Sequence, residues 1–354
     1  MEREYRELLT LTRTLCAKFG PSGWEDEVRE YILQAAMPYA DRIETDPMGN
    51  LMVFRRGRHP QAAGPLMLCA HMDEVGVIVK SFTEDGMVKF GFVGGVDPRV
   101  VIGRRIQFRT EAGDTVEGIV GIKAVHLTTA SERQHAPKAK DLYIDIGCTS
   151  KKQAEEKLSL GDCGTFAPEA VAFGDGLLKA KALDDRLGCA VLLMLLREQP
   201  PVDAWFTFHV QEEVGLRGAA TTAFAIQPAF CLVVEGTTAA DLADVPPHKQ
   251  VCALRKGAVL PFMDRGTIYD AELFEMMRDA CQARGIPWQT KHMVAGGTDA
   301  GRIHKSVQGV RTAGVAAPLR YIHSPSSVAA ESDIIAVYRA AQAFLEEIGG
   351  DQND

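Results

Sequence analysis

The spacing of apolar residues along the chain predicts alternating helices and strands at both ends of the sequence. In one set of segments apolar side chains recur at helical spacing, and in another they form short continuous or alternating runs. The predicted helices cover residues 3–18, 25–36, 187–197, 271–284 and 331–348. The predicted strands cover residues 40–45, 51–55, 65–70, 204–210, 230–234 and 314–322. This alternation is typical of a layered α/β domain.

The stretch between Val75 and Phe166 has a different pattern. Short β-like runs such as VGVIVKSF and TVEGIVGI are separated by glycine turns, and no long helical pattern covers residues 75–134. Many short strands joined by turns are typical of a small barrel or sandwich. We therefore expect a β-rich domain at residues 74–166, inserted into a domain that consists of residues 1–73 and 167–354.

Composition narrows the possible partners. The chain has 354 residues, of which 46% are hydrophobic and 24% charged, so a large domain and a smaller one are expected. The net charge of −8 disfavours a dedicated nucleic-acid binder. No apolar run approaches the roughly 20 residues of a membrane span, and the charged N-terminus does not resemble a secretion signal. We expect a cytoplasmic protein that binds neither nucleic acid nor membrane.

The eight cysteines are scattered along the chain, and no two of them form a CxxC pair. Most of them lie within apolar runs. This distribution favours reduced thiols in the core over disulfides or a thiolate zinc site.

Candidate metal ligands stand where the predicted apolar strands end. In chain order these residues are His71 with Asp73 close behind it, the pair Glu212 and Glu213, then Glu235, and finally His323. In open α/β sheets, ligands bind in the crevice beyond the carboxyl ends of the strands. Four strands that each deliver a histidine or a carboxylate to this edge indicate a shared site.

Each candidate has a simpler interpretation when it is taken alone. Asp184, in KALDDRLG, precedes an apolar helix, where an acidic residue also serves as a cap. The Glu212–Glu213 pair is also typical of a solvated loop, and His71 or His323 of an interior histidine. The complete set, rather than any single member, favours metal ligands.

Two histidines and three carboxylates offer mixed nitrogen and oxygen ligation, which suits zinc, cobalt or manganese better than calcium. One carboxylate would have to bridge two ions about 3.5–4 Å apart, and a water that bridges the same two ions would become the nucleophile. The adjacent glutamates can divide the work, one as ligand and one as general base. Asp73 can orient the imidazole of His71.

Six stretches in order along the chain resemble the tetrahedral and glutamyl aminopeptidases, family forty-two of the metallopeptidases. These stretches are AHMDEVG (70–76), KALDDRLG (181–188), QEEVGLRGA (211–219), VVEGTTAAD (233–241), GGTDAG (296–301) and YIHSPSSV (321–328). The resemblance implies an α/β fold with a central mixed sheet between helices, as in the zinc-peptidase sandwich. It also implies that the insertion is a small β-barrel used in dimerisation.

The same resemblance implies a role for each candidate. One ion would be held by His71, Asp184 and Glu235, and the other by Asp184, Glu213 and His323, with Asp184 as the bridge. Glu212 would be the general base and Asp73 would support His71. Residues 296–301 would lie beside the substrate channel. His126 resembles a position that reaches an active site, its own or a neighbour's, although an interior or surface histidine is the alternative.

The implied activity is removal of N-terminal residues from peptides with a free amino end, with two divalent ions per subunit. Zinc is the first expectation, with cobalt or manganese as alternatives, and the implied assembly is a dimer that builds a tetrahedral dodecamer. Many family members carry aspartate where this chain has Glu235, which changes the local geometry. The loop at residues 241–249, with its proline pair, is also atypical and bears on substrate specificity.

Two other functions compete with this expectation. A related two-metal deacylase or carboxypeptidase would need the same ligands but would recognise a different substrate end. A binding protein that had kept only the shell of an enzyme would usually lack a ligand or the base. Because all five ligands and Glu212 are present, that second alternative is disfavoured.

Overall fold

The computed structural model describes residues 2–59, 64–110 and 112–350. The predicted domain ranges also include residues 1, 60–63, 111 and 351–354, which lie outside the described residues. The strands of the described residues are, in chain order, β1 (Arg42–Thr45), β2 (Leu51–Arg55), β3 (Leu66–His71), β4 (Gly76–Phe82), β5 (Val88–Val93), β6 (Arg105–Arg109), β7 (Thr115–Ile122), β8 (Leu142–Asp145), β9 (Cys163–Phe166), β10 (Ala170–Phe173), β11 (Leu177–Ala180), β12 (Ala204–His209), β13 (Phe230–Thr238), β14 (Ala258–Val259), β15 (Trp288–Gln289), β16 (Arg311–Leu319) and β17 (Ser327–Ala330). The α-helices are α1 (Glu2–Ala17), α2 (Asp26–Ala36), α3 (Pro98–Val101), α4 (Ala130–Gln134), α5 (Lys151–Glu155), α6 (Leu183–Arg197), α7 (Arg217–Ile226), α8 (Ala271–Ala283), α9 (Ala300–Ile303) and α10 (Glu331–Gly349).

An eight-stranded mixed sheet forms the centre of the larger part of the chain. Its strand order is β1-β2-β12-β3-β13-β16-β14-β15. The four inner strands β12, β3, β13 and β16 are parallel. Strand β2 pairs antiparallel with both β1 and β12, and β14 pairs antiparallel with β16 but parallel with the edge strand β15. Helices α1, α2, α6, α8 and α10 pack against one face, and α7 and α9 pack against the other. The expected central mixed sheet between helices is therefore confirmed.

Strand β3 shows how the sequence specifies this arrangement. All six of its residues are buried, as expected for a parallel strand that is covered on both faces. Successive side chains point to opposite faces. Leu66 and Leu68 accordingly join the core beneath α6, while Met67 and Cys69 join the core beneath α7. The strand ends at His71, at the edge of the sheet where the site lies.

The insertion is a closed barrel with the strand order β4-β5-β8-β7-β6-β9. A separate apolar cluster fills it, including Val88, Phe108 and Ile144. Its strands run from Gly76 to Phe166, within the predicted limits of 74–166. In the described part of residues 75–134, no helix is longer than the five residues of α4. The expected β-barrel is confirmed.

Some predicted strand ends are wrong. The prediction ends a strand at Val234, but β13 continues to Thr238 because its backbone pairs with β16 as far as Leu319. Glu235 therefore lies inside a strand rather than just beyond it. Helix α7 follows the Glu212–Glu213 turn, and the pattern analysis did not predict it.

Two further expectations concern the thiols and membranes. All eight cysteines are buried and free. Among the described residues, none of the helices has the length and apolar character that a membrane crossing requires.

Candidate metal centre

The carboxylate of Asp184 lies between two histidines and faces both. Its Oδ1 is 3.5 Å from Nε2 of His71, and its Oδ2 is 3.5 Å from Nε2 of His323. The Oδ1 atom is buried and has no hydrogen-bond partner among the described residues. A buried acceptor without a partner is costly, and a bound cation would satisfy it. Each of the two oxygens therefore faces a different imidazole.

One side of Asp184 carries a compact group of three ligand-type residues. Glu213 Oε2 lies 3.2 Å from His323 Nε2. Asp184, Glu213 and His323 each offer one ligand atom, and these atoms lie within 4.8 Å of one another. Imidazole with two carboxylates is a common donor set for zinc and similar divalent ions.

Backbone carbonyls fix the orientation of both imidazoles. Nδ1 of His71 lies 3.1 Å from the backbone oxygen of Asp73, and Nδ1 of His323 lies 3.0 Å from that of Gly95. A ring nitrogen that faces a carbonyl carries the proton and donates it. In the neutral form of each ring, Nε2 is therefore the nitrogen with the lone pair, and this atom faces Asp184, as in a metal-binding histidine.

Asp73 makes more contacts than the sequence suggested. Its Oδ1 lies 3.5 Å from Nδ1 of His71. The same carboxylate accepts the backbone N–H groups of Glu212, at 2.9 Å, and Glu213, at 3.1 Å. It also accepts the hydroxyl of Ser22 at 2.6 Å. Asp73 therefore contacts the His71 ring through both its backbone and its side-chain oxygen, and its side chain also holds the turn that carries both glutamates.

Glu212 and Glu235 lie at the other side of the site. Glu212 Oε2 is 4.0 Å from Nε2 of His71. Glu235 is buried in β13, and its Oε1 accepts the backbone N–H of Asp299 at 3.2 Å. Glu235 is not part of the group of three whose ligand atoms lie within 4.8 Å.

Asp299 and His209 form a buried pair that the sequence analysis did not single out. Nδ1 of His209 lies 2.7 Å from Oδ2 of Asp299, and its Nε2 lies 2.8 Å from the hydroxyl of Thr222. The available signals were weak, since Asp299 lies within GGTDAG and His209 closes the apolar strand β12. The pair fixes the loop whose backbone N–H contacts Glu235.

The adjacent Asp185, rather than Asp184, serves as the helix cap. Oδ1 of Asp185 accepts the backbone N–H of Gly188 at 3.0 Å, and its Oδ2 accepts that of His71 at 3.2 Å. Asp184 and Asp185 both have non-helical backbone angles at the start of α6. The capping interpretation of the acidic pair therefore applies to Asp185 and leaves Asp184 to face the histidines.

Buried negative charge dominates the electrostatics of this site. Burial raises the pKa of Glu213 to about 8 and that of Glu212 well above its ordinary value. Burial also raises the pKa of Glu235, and the charge of Glu212 raises it further. Although burial lowers the pKa of His323, Asp184 and Glu213 raise it to about 9. Such a surplus of carboxylates is the environment that a divalent cation stabilises.

The surroundings of His323 include space for a ligand. An open groove of about 480 Å³ lies beside it, lined among others by Phe173 and Tyr321. His126 lies elsewhere, on an exposed 3-10 turn of the insertion at Val125–Leu127.

Comparison with known proteins places these residues in a family. The family model described as M42 glutamyl aminopeptidase matches residues 49–339. A lysyl aminopeptidase from Pyrococcus furiosus is 31% identical, over 93% of this chain and 94% of its own. The structure of a TET aminopeptidase from the archaeon Thaumarchaeota archaeon SCGC AB-539-E09 has 34% identity and a TM-score of 0.91, over 96% of both chains. The TET1 peptidase of Pyrococcus horikoshii, which can assemble into a tetrahedron or a large octahedral shell, has 27% identity and a TM-score of 0.84, over 96% of this chain and 99% of its own. The chain belongs to the M42 glutamyl aminopeptidase family, a family of metallopeptidases that use divalent ions, and is itself a peptidase.

Proposed function

We propose that the protein removes the N-terminal residue from peptides with a free amino end, with the help of two divalent ions. The observation that carries this proposal is the position of Asp184, whose two oxygens face the Nε2 atoms of His71 and His323. His71, Asp184 and Glu235 would hold one ion. Asp184, Glu213 and His323 would hold the other.

The residues present fit such ions. The buried Oδ1 of Asp184 has no hydrogen-bond partner among the described residues, and the Nε2 atoms of both imidazoles face this carboxylate. Two imidazole nitrogens with carboxylate oxygens suit zinc first, and cobalt or manganese as alternatives.

When bound, divalent ions polarise a carbonyl group and lower the pKa of a water molecule. Glu212 is outside both proposed ligand sets, and its carboxylate lies near Nε2 of His71. It acts as the general base, which takes a proton from the attacking water and returns it to the leaving amine. Asp73 holds the backbone of Glu212 and thereby the position of this base.

Similarity supports action at the amino end of the substrate. Two of the relatives named above are a lysyl aminopeptidase and a TET aminopeptidase. The alternative function is a related two-metal deacylase or carboxypeptidase with the same ligands. We further propose that this chain self-associates as a dimer and, beyond that, as a tetrahedral dodecamer. The large assemblies of the TET1 relative support self-association. Light scattering in solution measures that size. The cytoplasmic location stays a prediction.

Aminoacyl-anilides and their N-acetylated counterparts test the substrate end. Only the substrate with a free amine should be cleaved, and hydrolysis of both at equal rates would contradict an aminopeptidase. Elemental analysis of the metal-loaded protein should find two ions per chain. A single ion with full activity would contradict the two-ion proposal.

A Glu212→Gln variant tests the base. It should lower kcat by about 10²- to 10⁴-fold, the usual contribution of a general acid–base group, and should keep both ions. Glu84→Gln is the matched control, because that side chain is 93% exposed on the barrel surface. If Glu212→Gln turned over as fast as this control, Glu212 would not be the base.

A further inference from the structure

The segment from Gly20 to Glu25 connects α1 to α2 and is hydrogen-bonded to residues beside the candidate metal centre. The spacing of apolar residues marks this segment only as a break between two helices. The segment also lies before residues 49–339, which are the part that the family model matches. The backbone N–H of Ser22 donates to the oxygen of Glu74 at 3.2 Å, and that of Glu74 donates to Gly20 at 3.0 Å. The segment is therefore bonded to the chain just after His71 and Asp73.

Ser22 contacts the site through Asp73. Its hydroxyl donates to Oδ2 of Asp73 at 2.6 Å, and both side chains are buried. The same Asp73 carboxylate accepts the backbone N–H groups of Glu212 and Glu213. Ser22 thus fixes the acceptor that holds two consecutive residues of the site.

Glu25 holds the residue immediately before them. One oxygen, Oε1, accepts the backbone N–H of Gly23 at 2.8 Å and that of Gln211 at 3.1 Å. Gln211 has a φ of +57°, in the left-handed region that non-glycine residues rarely adopt. Such a conformation persists only where its surroundings hold it. Burial, followed by the charge of Asp73, raises the pKa of Glu25 to about 7.

We infer that Ser22 and Glu25 are positioning residues for the reaction, and that with Asp73 they fix the backbone of residues 211–213 and so the placement of the Glu212 and Glu213 carboxylates. Three consecutive N–H groups of this turn donate to the two buried carboxylates of Asp73 and Glu25. Neither Ser22 nor Glu25 belongs to the proposed ligand sets. The inference rests on the proposed roles of Glu212 as base and Glu213 as ligand.

Three variants separate hydrogen bonding from charge and from bulk. Glu25→Gln keeps one carbonyl oxygen, which suffices because Oε1 alone accepts both N–H groups. Glu25→Leu keeps a similar size but has no acceptor, and Ser22→Ala removes only a hydroxyl. Because a misplacement of about 1 Å can cost about 100-fold in rate, we expect Glu25→Leu to lower kcat by about 10- to 100-fold and Ser22→Ala by about 10-fold, with KM nearly unchanged. Glu25→Gln should stay within about 3-fold of the wild type, as should the exposed control Glu30→Leu.

Metal binding supplies a readout that does not depend on turnover. Calorimetric titration of the metal-free proteins with Zn²⁺ measures this binding. At one of two sites, Glu25→Leu should bind Zn²⁺ about 10-fold more weakly than the wild type, as is usual when a residue that holds a metal ligand in place is lost. The visible spectrum of the Co²⁺-loaded Glu25→Leu variant should also differ from that of the wild type. Glu25→Gln should restore both signals, which a general loss of stability would not explain.

The possible results are distinguishable from failure of the proposed function. If Glu212→Gln lowers turnover but Ser22→Ala and Glu25→Leu retain wild-type kcat and Co²⁺ spectra, the positioning role is wrong. If Glu25→Gln is as impaired as Glu25→Leu, the hydrogen-bond explanation is wrong. If Glu212→Gln itself has no effect, the proposed base is wrong. Should Glu25→Leu fail to fold, Ser22→Ala and Glu25→Gln still decide the question.

Discussion

His323 and Gly95 join the inserted barrel to the metal centre, since the imidazole Nδ1 lies 3.0 Å from the backbone oxygen of Gly95. Gly95 follows β5, so a residue of the insertion sets which nitrogen of His323 faces Asp184. The preceding Gly94 packs beside Glu213. The barrel therefore contributes to the site within its own chain, in addition to the dimerisation that the resemblance implies.

Gly94 gives a direct test of this contact. Its φ is +81°, and a Cβ there would lie 2.8 Å from Val75 Cγ1 and 3.3 Å from Glu213 Cβ. Gly94→Ala should lower the free energy of unfolding by about 1–2 kcal/mol, because a side chain is strained in the left-handed region. It should also weaken metal binding, because Glu213 must move. Urea unfolding and calorimetric titration with Zn²⁺ measure the two effects.

Gly103→Ala is the matched control for Gly94→Ala. Its φ is +73°, but nothing lies within 4 Å of the added Cβ. It should show a similar loss of stability with wild-type metal affinity. Equal metal affinity in both variants would show that the contact between Gly94 and Glu213 has no bearing on the metal.

Glu235→Asp tests the proposed ligand at which the family resemblance leads us to expect a difference from many members. The shorter side chain would withdraw its oxygen from the backbone N–H of Asp299, which now lies 3.2 Å from Oε1. We expect metal affinity to fall by about 10-fold or more, as when a hydrogen bond to a ligand is lost. Titration with Zn²⁺ measures this, with the exposed Glu272→Asp as control. Unchanged metal affinity would mean that the hydrogen bond from the backbone N–H of Asp299 to Glu235 does not contribute to metal binding.

Glu74 should be essential for stability. Its carboxylate is buried between Lys181, at 2.6 Å, and Arg186, at 3.2 Å, and accepts the hydroxyl of Thr165 in the barrel at 2.7 Å. Glu74→Ala would leave two buried cations without this partner, which costs about 3–5 kcal/mol. Urea unfolding measures the loss. The exposed pair of Arg105 and Glu117 supplies the control, since Glu117→Ala should cost at most about 1 kcal/mol. Equal losses of stability in Glu74→Ala and Glu117→Ala would contradict a special role for the buried carboxylate.

Asp333 predicts a pH dependence of stability away from the metal centre. Burial raises its pKa to about 6, although the backbone N–H groups of Gly257 and Arg255 lower it. Because this pKa is above the ordinary value of 3.8, the folded state binds the proton more tightly. The resulting stabilisation is complete below about pH 4 and is lost as the pH rises through about 6.

A comparison of wild type with Asp333→Asn isolates this effect. As the pH rises from about 4 to 7, the free energy of unfolding of the wild type should fall relative to that of Asp333→Asn, by at most about 2 kcal/mol. Urea unfolding at several pH values measures it, and other titrating groups cancel in the difference. A difference that does not vary with pH would contradict the raised pKa.

Local pattern alone predicted much of the fold. Helical spacing gave α1, α2, α8 and α10 within a few residues, because an amphipathic helix records its buried face in the residues of one segment. The buried run before His71 predicted β3 in the same way, since a strand covered on both faces must be apolar throughout. The strand ends were less accurate. Thr238 belongs to β13 because of its partner Leu319 and not because of its own hydropathy.

The sequence by itself determined which ligand-type residues lie in or close behind the predicted strands, and so the kind of chemistry, because the identity of a ligand is a property of a single residue. Only the tertiary structure decided what holds those residues in place. Glu25 and Gln211 meet across 186 positions of sequence, and Ser22 and Asp73 across 51. The pairing of β12 beside β3 brings the Glu212–Glu213 turn to the end of the strand that carries His71. The backbone hydrogen bonds of Gly20 and Ser22 to Glu74 bring Ser22 and Glu25 to the same place. Periodicity within a segment carries no information about which strands become neighbours, so Ser22, Glu25 and Gly95 could be recognised only after folding.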